Sequence, residues 1–257
     1  GLKYAQRLIA VSAYTRQEWQ QVGLTKAPID VVHNGIDTTQ FGPVAGDKAQ
    51  LRQQFGLPPE GLLISYVGRL DRVKGVDTLI RSFARFRTSH PEAHLVIAGK
   101  PLVNQADYTD ELQRLVQQAN LAPAVSFLGH VDQPQQIYQA SDINVVPSRW
   151  PEPFGRTLIE AMACGIPVIA SRQGGMPEVL TGDFATGLFA AGDVEALTEC
   201  LRKIVHKRRT IPDLGQRCRQ HVLENFSIQH TVDGIEASFQ QAISTCIPSS
   251  KNSFTKA

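Results

Sequence analysis

Residues 62–99 read LLISYVGRLDRVKGVDTLIRSFARFRTSHPEAHLVIAG, and this stretch decides the fold class. It opens with a short apolar run that stops at Gly68, which is typical of a strand buried on both faces. From Val76 to Phe86 the apolar residues recur at helical spacing. A second apolar run follows at residues 94–98. The stretch therefore predicts a strand, a helix and a second strand.

The same alternation continues along the chain. Further strand-like runs lie at residues 125–128, 143–146, 167–170 and 187–189, with helical patterns between most of them. Repeated β-α units of this size predict the α/β class, with a Rossmann-like doubly wound parallel sheet that is covered by helices on both faces. In such a sheet, ligands bind at the carboxyl ends of the strands.

The composition of the chain argues against several classes of function. The chain has 257 residues, with 26 Lys and Arg against 24 Asp and Glu, so its net charge is +2. This near-balance argues against a protein that holds nucleic acid or an anionic membrane by bulk charge. No stretch approaches the roughly 18 apolar residues that span a bilayer, and the first residues lack the apolar core of a secretion signal. The 4 cysteines are far apart, which disfavours a disulfide framework or a zinc site.

The two ends of the chain differ from its middle. Residues 1–40 hold two strand signals and one helix, which is too little to bury a core, so we expect the C-terminal remnant of another domain. Residues 41–48 contain Gly and Pro, as a linker would. The larger domain is expected at residues 49–225, followed by a last helix at residues 226–246. Residues 247–257 show no periodicity and are expected to be disordered.

The first candidate site is the loop GRLDRVKG that begins at Gly68, between a predicted strand and a predicted helix. Glycines let a backbone approach a ligand closely. Arg69 and Lys74 place two cations near the positive end of the helix dipole. A ligand that carries phosphate fits this combination. An ordinary exposed loop with basic residues is the alternative interpretation.

The second candidate site is the block EPFGRTLIEAMACGIP that begins at Glu152. Gly155 precedes a helix whose first amides, near Arg156 and Thr157, are unpaired donors. Glu160 follows one turn later, on the same face as Arg156. Carboxylates accept hydrogen bonds from sugar hydroxyls and helix-start amides bind anionic oxygens, so a sugar joined to a nucleoside through a diphosphate matches this order of groups. The alternatives are an ordinary loop acid near Arg149 for Glu152, and a helix-surface acid or an Arg156–Glu160 ion pair for Glu160.

This block resembles the donor-site signature E-x₇-E of retaining glycosyltransferases of the GT-B fold, in particular glycosyltransferase family 4. The resemblance covers about residues 1–245 and identifies the larger domain as a C-terminal, donor-binding domain. Other blocks that resemble the family are VGR and KG within residues 67–75, the strand at residues 125–131, GGMPE at residues 174–178 and NGID at residues 34–37.

The resemblance implies a catalytic role for three residues. Arg69 and Lys74 would bind the diphosphate of the donor and stabilise charge on the leaving nucleotide. Glu152 would bind the hydroxyls of the donor sugar near the reacting carbon. Growing negative charge on a diphosphate is stabilised best by preorganised cations and amides in a site that excludes water.

The resemblance also implies a set of donor-binding residues. The Glu160 carboxylate would bind the ribose hydroxyls, and the backbone at Val131 would bind the base. The amides at the helix start and the Thr157 hydroxyl would hold the diphosphate or the sugar. The full set is Val131, Phe154, Gly155, Arg156, Thr157 and Glu160.

The implied reaction is transfer of a hexosyl group, with retained anomeric configuration, from a UDP- or GDP-hexose to an acceptor hydroxyl. The acceptor would be a glycan, a lipid-linked sugar or a small molecule, and no nucleic acid is expected as a partner. Apart from the nucleotide-sugar substrate, no cofactor is expected. The resemblance also implies that no divalent metal is needed, and the sequence offers no D-x-D of the kind that binds Mn²⁺ or Mg²⁺ in other glycosyltransferases. The expected location is the cytoplasm, or the inner face of the membrane through the full-length protein.

The N-terminal domain of a GT-B enzyme would carry a glycine-rich loop, and none is visible before residue 40. We therefore expect this domain of the same protein to be missing, and the 257 residues alone to bind nucleotide but to transfer sugar poorly or not at all. The last helix would pack on the missing domain. Its apolar positions, expected to be exposed, are Ile235, Phe239, Ala242 and Ile243.

Two other functions fit the same sequence. One is a non-catalytic module that binds nucleotide-sugars. The other is a different chemistry on the GT-B fold, such as a phosphorylase or an epimerase, although no clear candidate exists for the pyridoxal-phosphate lysine of a phosphorylase. Asp132, after the base-binding strand, would accept from a guanine edge, which mildly suggests GDP-mannose, and UDP-glucose and UDP-galactose remain equal alternatives.

Overall fold

The structure is a computed structural model, and it describes residues 4–23, 25–102 and 107–246. The predicted disordered tail, residues 247–257, lies outside the described residues. The strands are β1 (Leu8–Ala10), β2 (Ile29–Val31), β3 (Leu63–Val67), β4 (His94–Ala98), β5 (Val125–Gly129), β6 (Ile143–Val146), β7 (Val168–Ser171) and β8 (Leu188–Phe189).

Helices alternate with these strands through most of the chain. They are α1 (Ala13–Gln21), α2 (Lys48–Gln54), α3 (Val76–Arg87), α4 (Asp107–Gln118), α5 (Pro134–Ala140), α6 (Arg156–Ala163), α7 (Met176–Val179), α8 (Val194–Thr210), α9 (Leu214–Asn225) and α10 (Ile228–Cys246). Short 3₁₀ turns lie at Arg72–Lys74, Ala122–Ala124 and Gly182–Gly187.

The larger sheet has the strand order β5-β4-β3-β6-β7-β8, and every pair in it is parallel. Residues 62–99 form β3, α3 and β4 as predicted, and β3 pairs with β4 from Leu63 opposite His94 to Val67 opposite Ala98. The predicted α/β class with a Rossmann-like parallel sheet is therefore confirmed. Strands β1 and β2 form a separate two-stranded parallel sheet.

Helices bury apolar side chains on both faces of the larger sheet. On one face, α3 and α8 pack together over β3 and β4, and Phe83 and Phe86 are fully buried there. On the other face, α6 and α9 pack together, and Leu158 and Val222 are buried. Burial on both faces explains why the central strands are almost continuously apolar.

The amino end of the sheet is held by an ionic cluster, the Asp142 cluster, which consists of Asp142, Lys48, Arg52 and Arg208. The Asp142 carboxylate is 2.8 Å from Lys48 Nζ, 2.7 Å from Arg52 Nη2 and 2.8 Å from Arg208 Nη2. It also accepts from the Leu63 amide at 2.8 Å, at the start of β3. Burial works against ionisation, but the cations Lys48 and Arg208 outweigh it and hold the pKa of Asp142 below its ordinary value.

The last helix packs on residues 30–36. The Thr231 hydroxyl donates to the His33 carbonyl at 2.9 Å, and the Ser238 hydroxyl donates to Asp30 Oδ2 at 2.6 Å. The prediction of exposed apolar residues on α10 is right for Phe239, which is 62% exposed, and for Ile243, which is 59% exposed. It is wrong for Ile235 and Ala242, which are only partly exposed.

The predicted linker, residues 41–48, makes close contacts with the rest of the chain. The Phe41 ring is buried against Tyr138, with 6.4 Å between ring centroids. The Gly42 carbonyl accepts from Gln139 Nε2 at 2.8 Å. Lys48 begins α2 and belongs to the Asp142 cluster. The segment thus lies against α5 and the amino end of the sheet.

Over residues 4–23, 25–102 and 107–246, every helix is too short or too polar to cross a bilayer. Cys164, Cys200 and Cys218 are buried free thiols. Burial raises the pKa of Cys164 and of Cys218 to about 12, so both thiols stay protonated at neutral pH.

Candidate functional site

The candidate site lies where the strand order of the larger sheet reverses. After β3 the chain builds outward through β4 and β5, and after β6 it builds in the opposite direction through β7 and β8. The loops that follow β3 and β6 therefore diverge and leave a crevice at the carboxyl ends of these two neighbouring strands. A cavity of about 360 Å³ occupies this crevice and is called the central cavity below.

Most of the predicted site residues line the central cavity. They are Arg69, Lys74, Glu152, Phe154, Gly155, Arg156 and Thr157. Val131 and Glu160 are not among its lining residues. Three further polar residues that were not predicted as site residues also line the cavity, namely Asn34, Tyr66 and Ser148. Each had a positional signal, since Asn34 is in the NGID block, Tyr66 is the second-last residue of a predicted strand and Ser148 follows another.

The loop after β3 is shaped by two contacts. The Tyr66 hydroxyl donates to the Arg69 carbonyl at 2.6 Å and so fixes the backbone beside the cavity. At the other end of the loop, Gly75 has φ +68°, and a Cβ there would lie 2.1 Å from the Pro147 carbonyl oxygen. Only glycine allows this approach, which brings the loop against the residues that follow β6.

The two predicted cations are in different surroundings. Arg69 is exposed, and among the described residues its guanidinium has no ion-pair or hydrogen-bond partner. Lys74 is half-buried, and its Nζ donates to Glu152 Oε1 at 2.5 Å. The partner of Glu152 is therefore Lys74 rather than Arg149, which instead donates to Asp77 Oδ2 at 2.6 Å and to the Thr78 hydroxyl at 2.8 Å.

The GGMPE block seats the loop that contains Glu152. The Gly175 amide donates to the Glu152 carbonyl at 2.8 Å. Gly174 has φ +58°, and a Cβ there would lie 2.0 Å from the Glu152 carbonyl oxygen. The two blocks are therefore packed backbone to backbone, which gives a physical reason for glycine at these positions.

Helix α6 begins at the wall of the central cavity. Gly155 caps it without a side chain, and the Leu158 amide donates to the Gly155 carbonyl at 3.0 Å. Among the described residues, the Arg156 and Thr157 amides have no side-chain acceptor. Gly155, Arg156 and Thr157 all line the cavity. A helix N-terminus that opens into a cavity is a favourable position for an anionic group.

Glu160 lies one turn inside α6 and is buried, with 9% of its surface exposed. The Tyr138 hydroxyl donates to its Oε2 at 3.0 Å, and Arg156 Nη2 is 3.5 Å from its Oε1. Burial raises the pKa of Glu160, and these two neighbours offset only part of the effect. The Arg156–Glu160 ion pair, which the sequence offered as an alternative role for Glu160, is present. Tyr138 was not predicted, because nothing in its local sequence marks it.

Val131 follows β5 and is partly buried, where it packs against a small apolar cluster that includes Ile137 and Val96. Asp132 beside it is exposed, and its Oδ1 is 3.2 Å from His130 Nε2. The structure thus places Val131 beside this apolar cluster and not in the wall of the central cavity.

Glu178 joins the N-terminal residues to the loops of the site. Its carboxylate accepts from the Ala13 and Tyr14 amides at 2.8 and 2.9 Å, at the start of α1. His33 Nε2 is 3.0 Å from Glu178 Oε2, and the His33 ring stacks on Phe154 with 5.4 Å between centroids. The sequence showed Glu178 only as part of the GGMPE block, because its partners are more than 140 residues away.

No group of three or more His, Cys, Asp or Glu side chains that could hold a metal ion occurs within the described ranges. The expectation of a metal-independent reaction stays a prediction.

Comparison with known families identifies the chain. The family model described as Glycosyl transferases group 1 matches residues 47–221, which is more than half of the chain. The chain belongs to this family. A second model, described as Glycosyltransferase Family 4, matches residues 1–40. The resemblance that the sequence blocks indicated is therefore confirmed.

Curated relatives of this glycosyltransferase-family chain include proteins named D-inositol 3-phosphate glycosyltransferase. The one from Mycolicibacterium gilvum is 34% identical over 244 residues, which cover 93% of this chain and 52% of the relative. The one from Mycolicibacterium smegmatis is 32% identical over 221 residues, which cover 85% of this chain and 49% of the relative. The chain spans about half the length of these relatives.

Solved structures show the same GT-B fold. Anabaena Alr3699/HepE in complex with UDP-glucose superposes with a TM-score of 0.83 at 26% identity, over 93% of this chain and 65% of that one. The C-terminal domain of the group 1 glycosyl transferase LpcC from Francisella tularensis superposes with a TM-score of 0.67 at 27% identity, over 76% of this chain and all of that domain.

Proposed function

We propose that the chain is the donor-binding part of a retaining glycosyltransferase that transfers a hexosyl group from a nucleotide-diphosphate sugar to an acceptor hydroxyl. The observation that carries this proposal is the lining of the central cavity. Two cations, Arg69 and Lys74, and the open N-terminus of α6 converge on one space beside the Glu152 carboxylate. Family membership supports the same reaction class.

The charges of the cavity fit a diphosphate. Arg69 has no carboxylate partner among the described residues, so its guanidinium is available for bidentate contact with a phosphate. The amides at the start of α6 add partial positive charge that is fixed by the fold. When the glycosyl–phosphate bond breaks, its electron pair stays on the diphosphate, and these groups stabilise that charge without reorganising.

Lys74 and Glu152 are proposed to contact different halves of the donor. In the proposed complex, Lys74 reaches a phosphate oxygen while Glu152 accepts from the hydroxyls of the donor sugar. The acceptor oxygen then attacks the anomeric carbon from the face that the diphosphate leaves, and the acceptor proton passes to a phosphate oxygen. This course retains the anomeric configuration. We further propose that it needs no divalent metal, since the cations and amides supply the charge.

The favoured donor is a UDP-hexose, because Alr3699/HepE, at 26% identity, binds UDP and UDP-glucose. A GDP-hexose is the alternative. D-inositol 3-phosphate, which the names of the curated relatives give as an acceptor, is a small molecule and belongs to one of the predicted acceptor classes.

Binding of nucleotides to the 257-residue chain tests the proposal. A calorimetric panel of UDP, GDP, ADP and their hexose conjugates is expected to select one nucleotide. Arg69→Ala is expected to lower the affinity for that nucleoside diphosphate by about 10-fold to 100-fold, since hydrogen bonds to charged groups contribute roughly 1.5–3 kcal/mol.

Arg209→Ala is the matched control, because Arg209 is an exposed arginine near the end of α8 and lies outside the central cavity. Its affinity should equal that of the wild type. Absence of binding for every nucleotide in the panel would contradict the proposal, and so would equal losses in the two variants. Efficient sugar transfer by the chain alone would contradict the expectation of poor turnover.

A further inference from the structure

Tyr138 is a fully buried tyrosine whose hydroxyl contacts a carboxylate of the proposed donor site. It lies on α5, 22 residues before Glu160 in the sequence, and its Oη is 3.0 Å from Glu160 Oε2. Its ring packs against Phe41, which fixes the position of the hydroxyl. Burial raises the pKa of Tyr138 well above its ordinary value, so the hydroxyl stays protonated and remains a donor.

The two oxygens of the Glu160 carboxylate have different environments. Oε2 is occupied by the Tyr138 hydroxyl. Oε1 lies on the side of Arg156, at 3.5 Å from a guanidinium that is itself largely exposed. A carboxylate that is held through one oxygen presents the other in a single direction. Oε1 is therefore the oxygen that is left to accept from a hydroxyl of a ligand.

The Tyr138 hydroxyl also favours the ionised form of Glu160. Burial raises the pKa of this carboxyl, and the hydrogen bond from Tyr138 acts in the opposite direction. An ionised carboxylate accepts charge-assisted hydrogen bonds from hydroxyls, which are stronger than those to a neutral acid. One contact thus fixes the direction of the Glu160 carboxylate and offsets part of the effect of burial on its pKa.

We propose that Tyr138 is a positioning residue that fixes Glu160 for contact with the ribose hydroxyls of the nucleotide. Tyr138 then sets the preference of the chain for ribonucleotides over nucleotides that lack these hydroxyls, without touching the ligand itself. This inference rests on the proposed function, because it needs a nucleotide to bind beside α6.

The test compares calorimetric affinities for UDP and for 2′,3′-dideoxy-UDP, or for the two GDP analogues if the panel selects GDP. The wild type is expected to prefer the ribonucleotide by about tenfold. Tyr138→Phe is expected to lose most of this preference while its affinity for the dideoxynucleotide stays the same. Since both ligands are compared on one folded variant, a general loss of stability does not imitate this result.

Two further variants complete the experiment. In a Glu160→Ala background, Tyr138→Phe is expected to cause no additional loss, because its effect acts through Glu160. Tyr108→Phe is the matched control, since Tyr108 is also buried and its hydroxyl is 3.5 Å from a carboxylate oxygen, that of Asp77. This control should keep the full preference for the ribonucleotide.

Each outcome decides between the two proposals. If the wild type binds no nucleotide, both the proposed function and the role of Tyr138 fail. If it binds UDP with a ribose preference that Tyr138→Phe retains, donor binding stands and the role of Tyr138 is overturned. The role is also overturned if the double variant loses more affinity for UDP than Glu160→Ala alone.

Discussion

Two buried carboxylates, Asp142 and Glu160, differ in how fully the protein compensates their charge. Their exposed fractions are similar, 7% and 9%. Asp142 lies at the amino end of the sheet and meets three cations and a backbone amide. Glu160 lies on the helix that begins at the carboxyl end, and meets one tyrosine hydroxyl and one exposed arginine.

The pKa shifts of the two groups follow from this difference. The cations around Asp142 overcome the effect of burial and hold its pKa below the ordinary value. Around Glu160 burial prevails, and the pKa is raised. A buried carboxylate whose charge is balanced by cations stabilises the fold. One whose charge is only partly balanced can still accept hydrogen bonds from a ligand, at some cost in stability. The comparison therefore separates the structural role of Asp142 at the amino end of the sheet from the proposed donor site at its carboxyl end.

The largest expected effect is at Asp142. Asp142→Asn leaves the buried Arg52 guanidinium without its carboxylate, and breaking such a pair lowers the free energy of unfolding by about 3–5 kcal/mol. Urea unfolding measures this change. Asp213→Asn, at an exposed carboxylate paired with Arg217, serves as control and should leave stability nearly unchanged. A similar small effect at Asp142 would refute the structural role.

Acid should remove the same contribution in the wild type. Because the folded pKa of Asp142 is depressed, its contribution is complete above the unfolded value, about 3.9, and is lost as the pH falls through the lower folded value. The difference in unfolding free energy between the wild type and Asp142→Asn is therefore expected to shrink over the acid range, as the pH falls below about 4. A difference that stays constant over this range would contradict the assignment.

A smaller effect of the opposite sign is expected at Glu160. In the folded state the pKa of Glu160 is raised. The stabilisation that the protonated carboxyl contributes is therefore lost as the pH rises through this pKa, and the ionised carboxylate opposes folding at neutral pH. Glu160→Gln keeps an acceptor for Tyr138 without the charge. We expect its unfolding free energy to rise by up to about 1 kcal/mol at pH 7, with weaker nucleotide binding.

Glu178→Gln sharpens this comparison, because Glu178 accepts from two backbone amides at the start of α1. The same chemical change is expected to lower stability there by about 1–2 kcal/mol. Thermal unfolding of both variants at pH 7 measures the contrast. If Glu160→Gln is as destabilising as Glu178→Gln, Glu160 is a structural carboxylate and the separation of the two ends fails.

The smallest change in stability is expected at Arg156. Its side chain is 64% exposed and pairs with Glu160 at 3.5 Å, so Arg156→Ala should alter the free energy of unfolding by less than about 0.5 kcal/mol. Its affinity for the nucleotide should nevertheless fall, because Arg156 lines the central cavity. Denaturation and calorimetry on one preparation separate the two effects, and a larger loss of stability than of affinity would contradict the prediction.

Much of the fold was predictable from short-range patterns. Local patterns predicted β3, β4, β6 and α3. A strand buried on both faces has a continuous apolar run, and a helix buried on one side has apolar residues at helical spacing. The seven predicted residues that line the central cavity belong to two short segments, residues 69–74 and 152–157, each with a distinctive local sequence. Their convergence follows from adjacent parallel strands, whose carboxyl ends meet at one edge.

The sequence by itself determined the alternation of strands and helices from β3 to β7, the two segments that meet at the central cavity and the family to which the chain belongs. The tertiary structure alone decided which partners each buried charge receives. Asp142 is bonded to residues 94, 90 and 66 positions away, and Glu160 is bonded to a tyrosine 22 positions away. Periodicity records which face of an element is buried, but the partners of a polar group depend on how distant elements pack.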